Sequence, residues 1–140
     1  VQYPAPGLPE LAEEVADTVS PDFVAVADRE VWGLDHGTWG VLVHAFPDAD
    51  IPVVQLSLDA RRPLDWHLAL GAKLAALRAR GVLVLGSGNV VHNLRAIDWG
   101  NPDGAFDWAR RFEEDARALM TERPHDIATL ASHRDYGLAV

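Results

Sequence analysis

The stretch LDWHLALGAKLAALRARGVLVLGSG, residues 64–88, encodes a helix, a helix cap and a strand in direct succession. Between Leu64 and Arg80 the apolar residues recur every three or four positions, which predicts an amphipathic helix. Gly81 is the residue type that commonly ends a helix in a left-handed turn. The apolar run Val82–Leu85 then predicts a buried strand, which glycines 86 and 88 terminate. The predicted apolar stripe of the helix consists of Trp66, Leu70, Leu74 and Leu77.

The same alternation of helix and strand extends along the rest of the chain. Two further apolar runs predict strands at Phe23–Ala27 and Ile51–Leu58. Strands that are apolar throughout and alternate with helices indicate an α/β fold, with a parallel or mostly parallel sheet covered by helices on both faces. Helical spacing predicts the other helices at Pro9–Val19, Thr38–Phe46, Phe106–Met120 and Ile127–Ser132.

Composition excludes several classes of function. The 140 residues suit one domain, and a formal net charge of −9 argues against nucleic acid or an anionic membrane as a partner. There is no cysteine, so a metal would need imidazole and carboxylate ligands. No apolar run is long enough for a membrane span, and no signal peptide is evident, so we expect a cytoplasmic protein. Because the chain opens at Val1 rather than Met, we expect it to be an interior piece of a longer one.

Candidate site residues lie in or beside the loops at the predicted strand ends, where open α/β sheets bind ligands. His92 follows the Gly86-Ser87-Gly88 turn, and His36 lies in a predicted loop between Asp35 and Gly37. Gln55 is a polar group within an apolar strand. Each also has a structural interpretation, since loop histidines are commonly solvated and buried amides commonly bind backbone.

A nucleotide-binding α/β domain is a competing interpretation that rests on Gly86 and Gly88. The dinucleotide fingerprint requires a third glycine and a helix that opens at the turn. Val91 occupies the third glycine position, and no clear helix signal begins at Asn89. This alternative is therefore weakly supported.

Five segments together resemble the DOPA 4,5-extradiol dioxygenase branch of the class III (LigB-type) ring-cleaving dioxygenases, in the family's order. The most specific contain the DHG-x-WG and SGN-x-VHNLR motifs. The segments are YPAPG (3–7), WGLDHGTWGVL (32–42), PDADIPVVQLSLD (47–59), WHLALGAKLAALR (66–78) and GSGNVVHNLRAIDW (86–99).

The resemblance implies a non-haem metal enzyme that cleaves the aromatic ring of a catechol with dioxygen. The metal would be iron(II), with zinc possible in the isolated protein. The family takes two histidine ligands from upstream of the YPAPG segment and a further His or Glu from near its C-terminus. We therefore expect residues 1–140 to be the central portion of one longer LigB-like catalytic domain, inactive by itself, with the remaining ligands outside this chain.

The resemblance also implies roles for individual residues. His92 matches a family histidine beside the metal, which is either the acid–base residue or an additional metal ligand. His36 matches a histidine that lines the substrate pocket and is the second predicted catalytic residue. Asn89, Asn93 and Gln55 are predicted to shape the same pocket.

Asn93-Leu94-Arg95 is of the bacterial type, whereas plant members have a Pro-containing segment there, so DOPA names a substrate class here. The predicted small-molecule partners are a catechol and dioxygen, and the oligomeric state is left open. A LigB-like binding or regulatory protein without catalysis is the alternative function.

Overall fold

A computed structural model describes residues 3–140 of the chain. Contacts divide the chain between Ser87 and Gly88 into two compact units. Over the described residues the α-helices are α1 (Pro9–Val19), α2 (His36–Ala45), α3 (Leu64–Leu74), α4 (Asp107–Glu122) and α5 (Tyr136–Ala139). Shorter 3₁₀ helices cover Ala75–Arg80, Leu94–Ala96 and Pro124–Ser132. None of the helices over residues 3–140 is both long and apolar enough to cross a membrane.

Helix α1 has the bounds that its sequence predicts. Pro9 occupies the first turn, where its missing N–H is not needed. The helix ends at Val19, before Ser20 and Pro21, and Val19 is fully buried. Helix α1 packs against α3 within the first unit.

The predicted helix over residues 64–80 forms in two parts. Its α-helical part ends at Leu74, and Ala75–Arg80 continues as a 3₁₀ helix. Tightening of the last turns is a common way for a helix to satisfy its terminal carbonyl groups. Gly81 then takes the left-handed conformation, with φ 83°, which confirms the predicted cap.

The apolar stripe of this helix faces the interior of the first unit, as predicted. Leu70 and Leu77 are buried, whereas Trp66 and Leu74 are half-buried. The Phe23 ring meets Trp66 edge-on at a centroid distance of 5.0 Å. The stripe therefore anchors the extended segment that begins at Phe23.

Within residues 3–140 none of the three segments predicted as strands is paired in a ladder. In the first segment exposure alternates: Val24 and Val26 are 91% and 84% exposed, while Phe23, Ala25 and Ala27 are half-buried. This alternation is typical of extended backbone with one covered face. The parallel sheet stays a prediction.

The second unit is built on α4. Phe112, Ala116 and Leu119 form its buried stripe, which matches the helical spacing of the sequence. The 3₁₀ helix Pro124–Ser132 and α5 both pack against α4. Phe112 meets the His133 ring edge-on at a centroid distance of 5.2 Å.

Candidate functional site

A cavity of about 490 Å³ lies in the second unit, between the segment that carries His92 and the first turn of α4. A volume of this order is typical of small-molecule sites. The polar residues Asn89, His92 and Asn93 line it, as do the aromatic residues Trp99, Phe106 and Trp108. Three of the residues predicted for the site therefore lie together.

His92 is held through its backbone. Its N–H donates to the carbonyl oxygen of Ala139 at 2.8 Å, and its side chain is exposed. The ring makes no hydrogen bond to any other described residue of the chain, so both nitrogens are open to a ligand at the cavity.

Asn93 has a structural task beside the cavity. Its side-chain amide donates to the carbonyl oxygen of Leu138 at 2.8 Å. Its side-chain oxygen accepts from the N–H of Arg95 at 3.1 Å and so begins the 3₁₀ helix Leu94–Ala96. Both polar atoms of the Asn93 side chain are used in these contacts, so Asn93 has fewer polar atoms free for a ligand than Asn89 has.

Aromatic rings form a wall of the cavity that the sequence analysis did not identify. Phe106 and Trp108 stack with centroids 5.8 Å apart and planes inclined by 12°. Trp99 also lines the cavity and is 83% exposed. The signal in the sequence was the concentration of three large aromatic residues within positions 99–108.

His36 does not lie in a loop, contrary to the prediction, because it is the first residue of α2. The side chain of Asp35 accepts from the N–H of Thr38 at 2.9 Å and caps the helix. This hydrogen bond is the main cause of the lowered pKa of the Asp35 carboxyl group. The sequence signal that was missed is an aspartate followed by a helix-compatible run.

Gln55 and Ser87 brace the beginning of α2, which presents the exposed His36 ring. The side-chain oxygen of Gln55 accepts from the Asp35 N–H at 2.9 Å and from the Thr38 hydroxyl at 2.8 Å. The Ser87 hydroxyl donates to the carbonyl oxygen of Gly37 at 3.0 Å. These contacts agree with the structural interpretation of Gln55, and its place in a substrate pocket stays a prediction.

Two other histidines, His133 and His67, are half-buried. The side chain of His133 is 15% exposed. Its Nε2 lies 2.9 Å from an Asp115 carboxylate oxygen, and its Nδ1 accepts from the Asp135 N–H at 3.0 Å. The Nδ1 of His67 is buried without a hydrogen-bond partner among residues 3–140.

A metal site of this type needs several side chains of the right kind close together. No three side chains of the His, Cys, Asp or Glu type are grouped so that they could hold an ion within residues 3–140. The exposed His92 imidazole is a suitable donor for iron or zinc, but it is one ligand of the three or more that such a site needs. These residues by themselves do not complete a metal site.

The segment after Gly88 does not have the geometry of a dinucleotide-binding turn. The first helical residues after it are Leu94–Ala96, a single 3₁₀ turn rather than an α-helix that opens at Asn89. A phosphate site of that type requires the N-terminus of a helix directly after the glycines. The structure therefore gives the nucleotide-binding alternative no further support.

Comparison with known proteins identifies the family. Residues 1–136 match the family described as the catalytic LigB subunit of aromatic ring-opening dioxygenase. A 4,5-DOPA dioxygenase extradiol of Escherichia coli K12 is 46% identical over 135 residues, which are 96% of this chain and 49% of that protein. The enzyme of that name from Beta vulgaris is 37% identical over 129 residues, 89% of this chain and 47% of its own length.

A solved structure shares the fold. The crystal structure of an uncharacterized protein from Escherichia coli K12 superimposes with a TM-score of 0.87 at 43% identity, over 99% of this chain and 58% of that one. The chain spans about half the length of the curated relatives it matches. By both sequence and structure, the chain belongs to the LigB family of aromatic ring-opening dioxygenases.

Proposed function

We propose that the protein containing this chain is an extradiol dioxygenase that opens the aromatic ring of a catechol with dioxygen. The observation that carries the proposal is the position of His92, which lines an aromatic-walled cavity in a chain of the LigB family. The relatives named as 4,5-DOPA dioxygenases favour a DOPA-like catechol as substrate.

The cavity suits a catechol on physical grounds. Aromatic rings associate favourably in offset or edge-on arrangements, so the Phe106–Trp108 pair offers a surface on which a substrate ring can pack. Asn89 lines the same cavity and offers a hydrogen-bond donor and an acceptor to the substrate's polar groups. We propose that His92, which lines the same cavity, faces the hydroxyl groups of the bound ring.

His92 is proposed as the acid–base residue. Imidazole exchanges protons near neutral pH, so one ring nitrogen can accept a proton from a catechol hydroxyl group and return it later in the reaction. The open ring nitrogens of His92 leave it free for this role. His36, at the exposed N-terminus of α2 in the first unit, stays the second predicted catalytic residue.

Iron(II) is the proposed metal, with zinc as a substitute in isolated protein. When bound, iron(II) would supply the redox-active centre that extradiol cleavage needs and that no side chain provides. We propose that its remaining ligands belong to parts of the protein outside residues 1–140. If His92 instead binds the metal itself, substituting it should lower the metal content of the protein as well as its activity.

The first prediction is that His92→Ala in the full-length protein lowers the ring-cleavage rate by about 100-fold or more, the lower end of what acid–base catalysis contributes. The assay measures dioxygen uptake and incorporation of both ¹⁸O atoms into the product after loading with iron(II). Metal content is measured in parallel, since an iron loss equal to the activity loss would identify His92 as a ligand instead.

The matched control is His125→Ala, which removes an exposed histidine of the same unit and is expected to retain wild-type turnover. Full turnover by His92→Ala at wild-type iron content would contradict the assignment. Catechol binding by iron-loaded wild-type protein without any dioxygen uptake would overturn the enzymatic proposal and favour the binding-protein alternative.

A further inference from the structure

Asp135 is a buried charged residue in the second unit. It is 6% exposed, and its carboxylate accepts from Nε and Nη2 of Arg111 on α4 at 3.2 and 3.3 Å. Arg134 also lies nearby, with its Nε 3.7 Å from a carboxylate oxygen. A buried carboxylate needs such pairing, so the two-point contact ties Asp135 to α4.

Asp135 in turn holds α5. Its carbonyl oxygen accepts from the N–H groups of Leu138 and Ala139 at 3.0 and 3.1 Å. Helix α5 also packs against α4 and against the 3₁₀ helix Pro124–Ser132. Its position therefore depends on the residue that begins it and on the burial of Ala139.

The C-terminal end of α5 holds the His92 segment. The carbonyl groups there have no partner within the helix and are free to accept. The Ala139 oxygen accepts from the His92 N–H and the Leu138 oxygen accepts from the Asn93 side chain, both at 2.8 Å. One continuous set of hydrogen bonds thus runs from Arg111 to the backbone of His92.

We propose that Arg111 and Asp135 are positioning residues that fix His92 against the cavity through α5. The catalytic part of this inference rests on the function proposed above, whereas the structural link does not. Neither side chain would touch substrate: Arg111 and Asp135 act by holding the carbonyl groups to which His92 and Asn93 bind. Loosening the pair should therefore move His92 and leave the core of α4 intact.

The test compares Asp135→Asn, Arg111→Lys and Arg111→Met in the full-length, iron-loaded protein. The first readout is hydrogen exchange of the His92 amide, which reports its bond to Ala139 directly. Exchange should be fastest in Arg111→Met, slower in Arg111→Lys and slowest in the wild-type protein. The second readout is kinetic: kcat should fall about 10- to 100-fold with KM nearly unchanged, as for a displaced catalytic group.

The control is Leu119→Ala, which destabilises the same unit through its core without touching this set of hydrogen bonds. At equal loss of thermal stability it should leave the His92 amide protected and kcat near wild type. Unchanged His92 exchange in Arg111→Met would overturn the inference, and so would equal exposure of the amide in Leu119→Ala. If Asp135→Asn fails to fold, the Arg111 variants provide the test of the inference, because the Arg111 side chain is 41% exposed.

The two proposals fail differently. Wild-type protein without ring cleavage would refute the proposed function, while the His92 exchange would still show whether Arg111 positions this segment. A protein that depends on His92 for turnover, yet shows wild-type His92 exchange and kcat in Arg111→Met, would refute the positioning role alone.

Discussion

At the scale of single residues, the histidines differ more in their ionic and hydrogen-bonding contacts than in the sequence around them. His133 and His92 both lie in polar surroundings of the sequence, yet His133 binds Asp115 and the Asp135 backbone, whereas the His92 ring is open at a cavity. The family motif around His92 predicted a role for it, and that role stays a prediction. The buried state of His133 depends on contacts with α4 that are distant in sequence, so residue type alone could not predict it.

Asp35 gives a pH-dependent prediction at this scale. Its pKa is lowered from the ordinary 3.8, first by the hydrogen bond from the Thr38 N–H. A carboxylate whose folded pKa lies below its unfolded pKa contributes stability that is fully present above the unfolded value and is lost as the pH falls through the folded one. The beginning of α2 should therefore loosen below about pH 4.

Amide exchange at Thr38 in the full-length protein measures this loosening. Asp35→Asn is the matched control, because asparagine caps helices as well as aspartate but does not titrate. Its Thr38 amide should be insensitive to acid, while Asp35→Ala should exchange faster at every pH. Acid sensitivity that persists in Asp35→Asn would assign the effect to another group.

At the scale of elements, α1, α3 and α4 were predictable because each covers one apolar stripe of its own sequence, whereas α5 was not predicted. Residues 64–80 show this, since their spacing placed Leu70 and Leu77 inward and Gly81 at the cap. The strands could not be verified in the same way, because a strand needs partners that hydrogen-bond to it. The change from α to 3₁₀ geometry at Ala75 leaves no mark in apolar spacing and was not predictable.

The burial of each leucine in this stripe predicts how much its replacement by alanine lowers the free energy of unfolding. Leu77→Ala should lower the free energy of unfolding by about 2–5 kcal/mol, the range for a buried leucine, and the half-buried Leu74→Ala should cost less. Leu68→Ala, at a 36% exposed site of α3, should cost less than Leu77→Ala. Denaturant unfolding of the full-length variants measures the series, and equal costs at Leu77 and Leu68 would contradict the helix orientation.

At the scale of the whole molecule, each of the two units carries candidate site residues: His36 and Gln55 lie in the first, and Asn89, His92 and Asn93 lie in the second. The chain spans about half the length of its curated relatives. The His92 cavity could be anticipated only in part: the motif predicted the polar residues, while the aromatic wall required the fold of residues 99–108. Ion pairs such as Arg111–Asp135 join residues 24 positions apart. No periodic pattern encodes such a pairing, so it could not be predicted.

We propose that the three apolar segments predicted as strands form a parallel sheet in the full-length protein. Their apolar composition favours burial on both faces, which only a sheet with covering helices provides. Amides of Val82–Leu85 should then exchange as slowly as those of α4. Exchange at the rate of an unstructured chain in this segment would contradict the sheet.

The alternating segment that begins at Phe23 has a consequence for how the chain avoids self-association. Before its sheet partners are in place, as during folding, such a run of valines and alanines is a template on which a second molecule can add a strand. Asp28 follows the run as a charged gatekeeper, and Asp22, which precedes it, is paired with Lys73. The Asp28 carboxylate accepts hydrogen bonds from the N–H groups of Val31 and Glu30, and these lower its pKa. Like charges on two approaching copies then repel one another at the position where intermolecular strand pairing would begin.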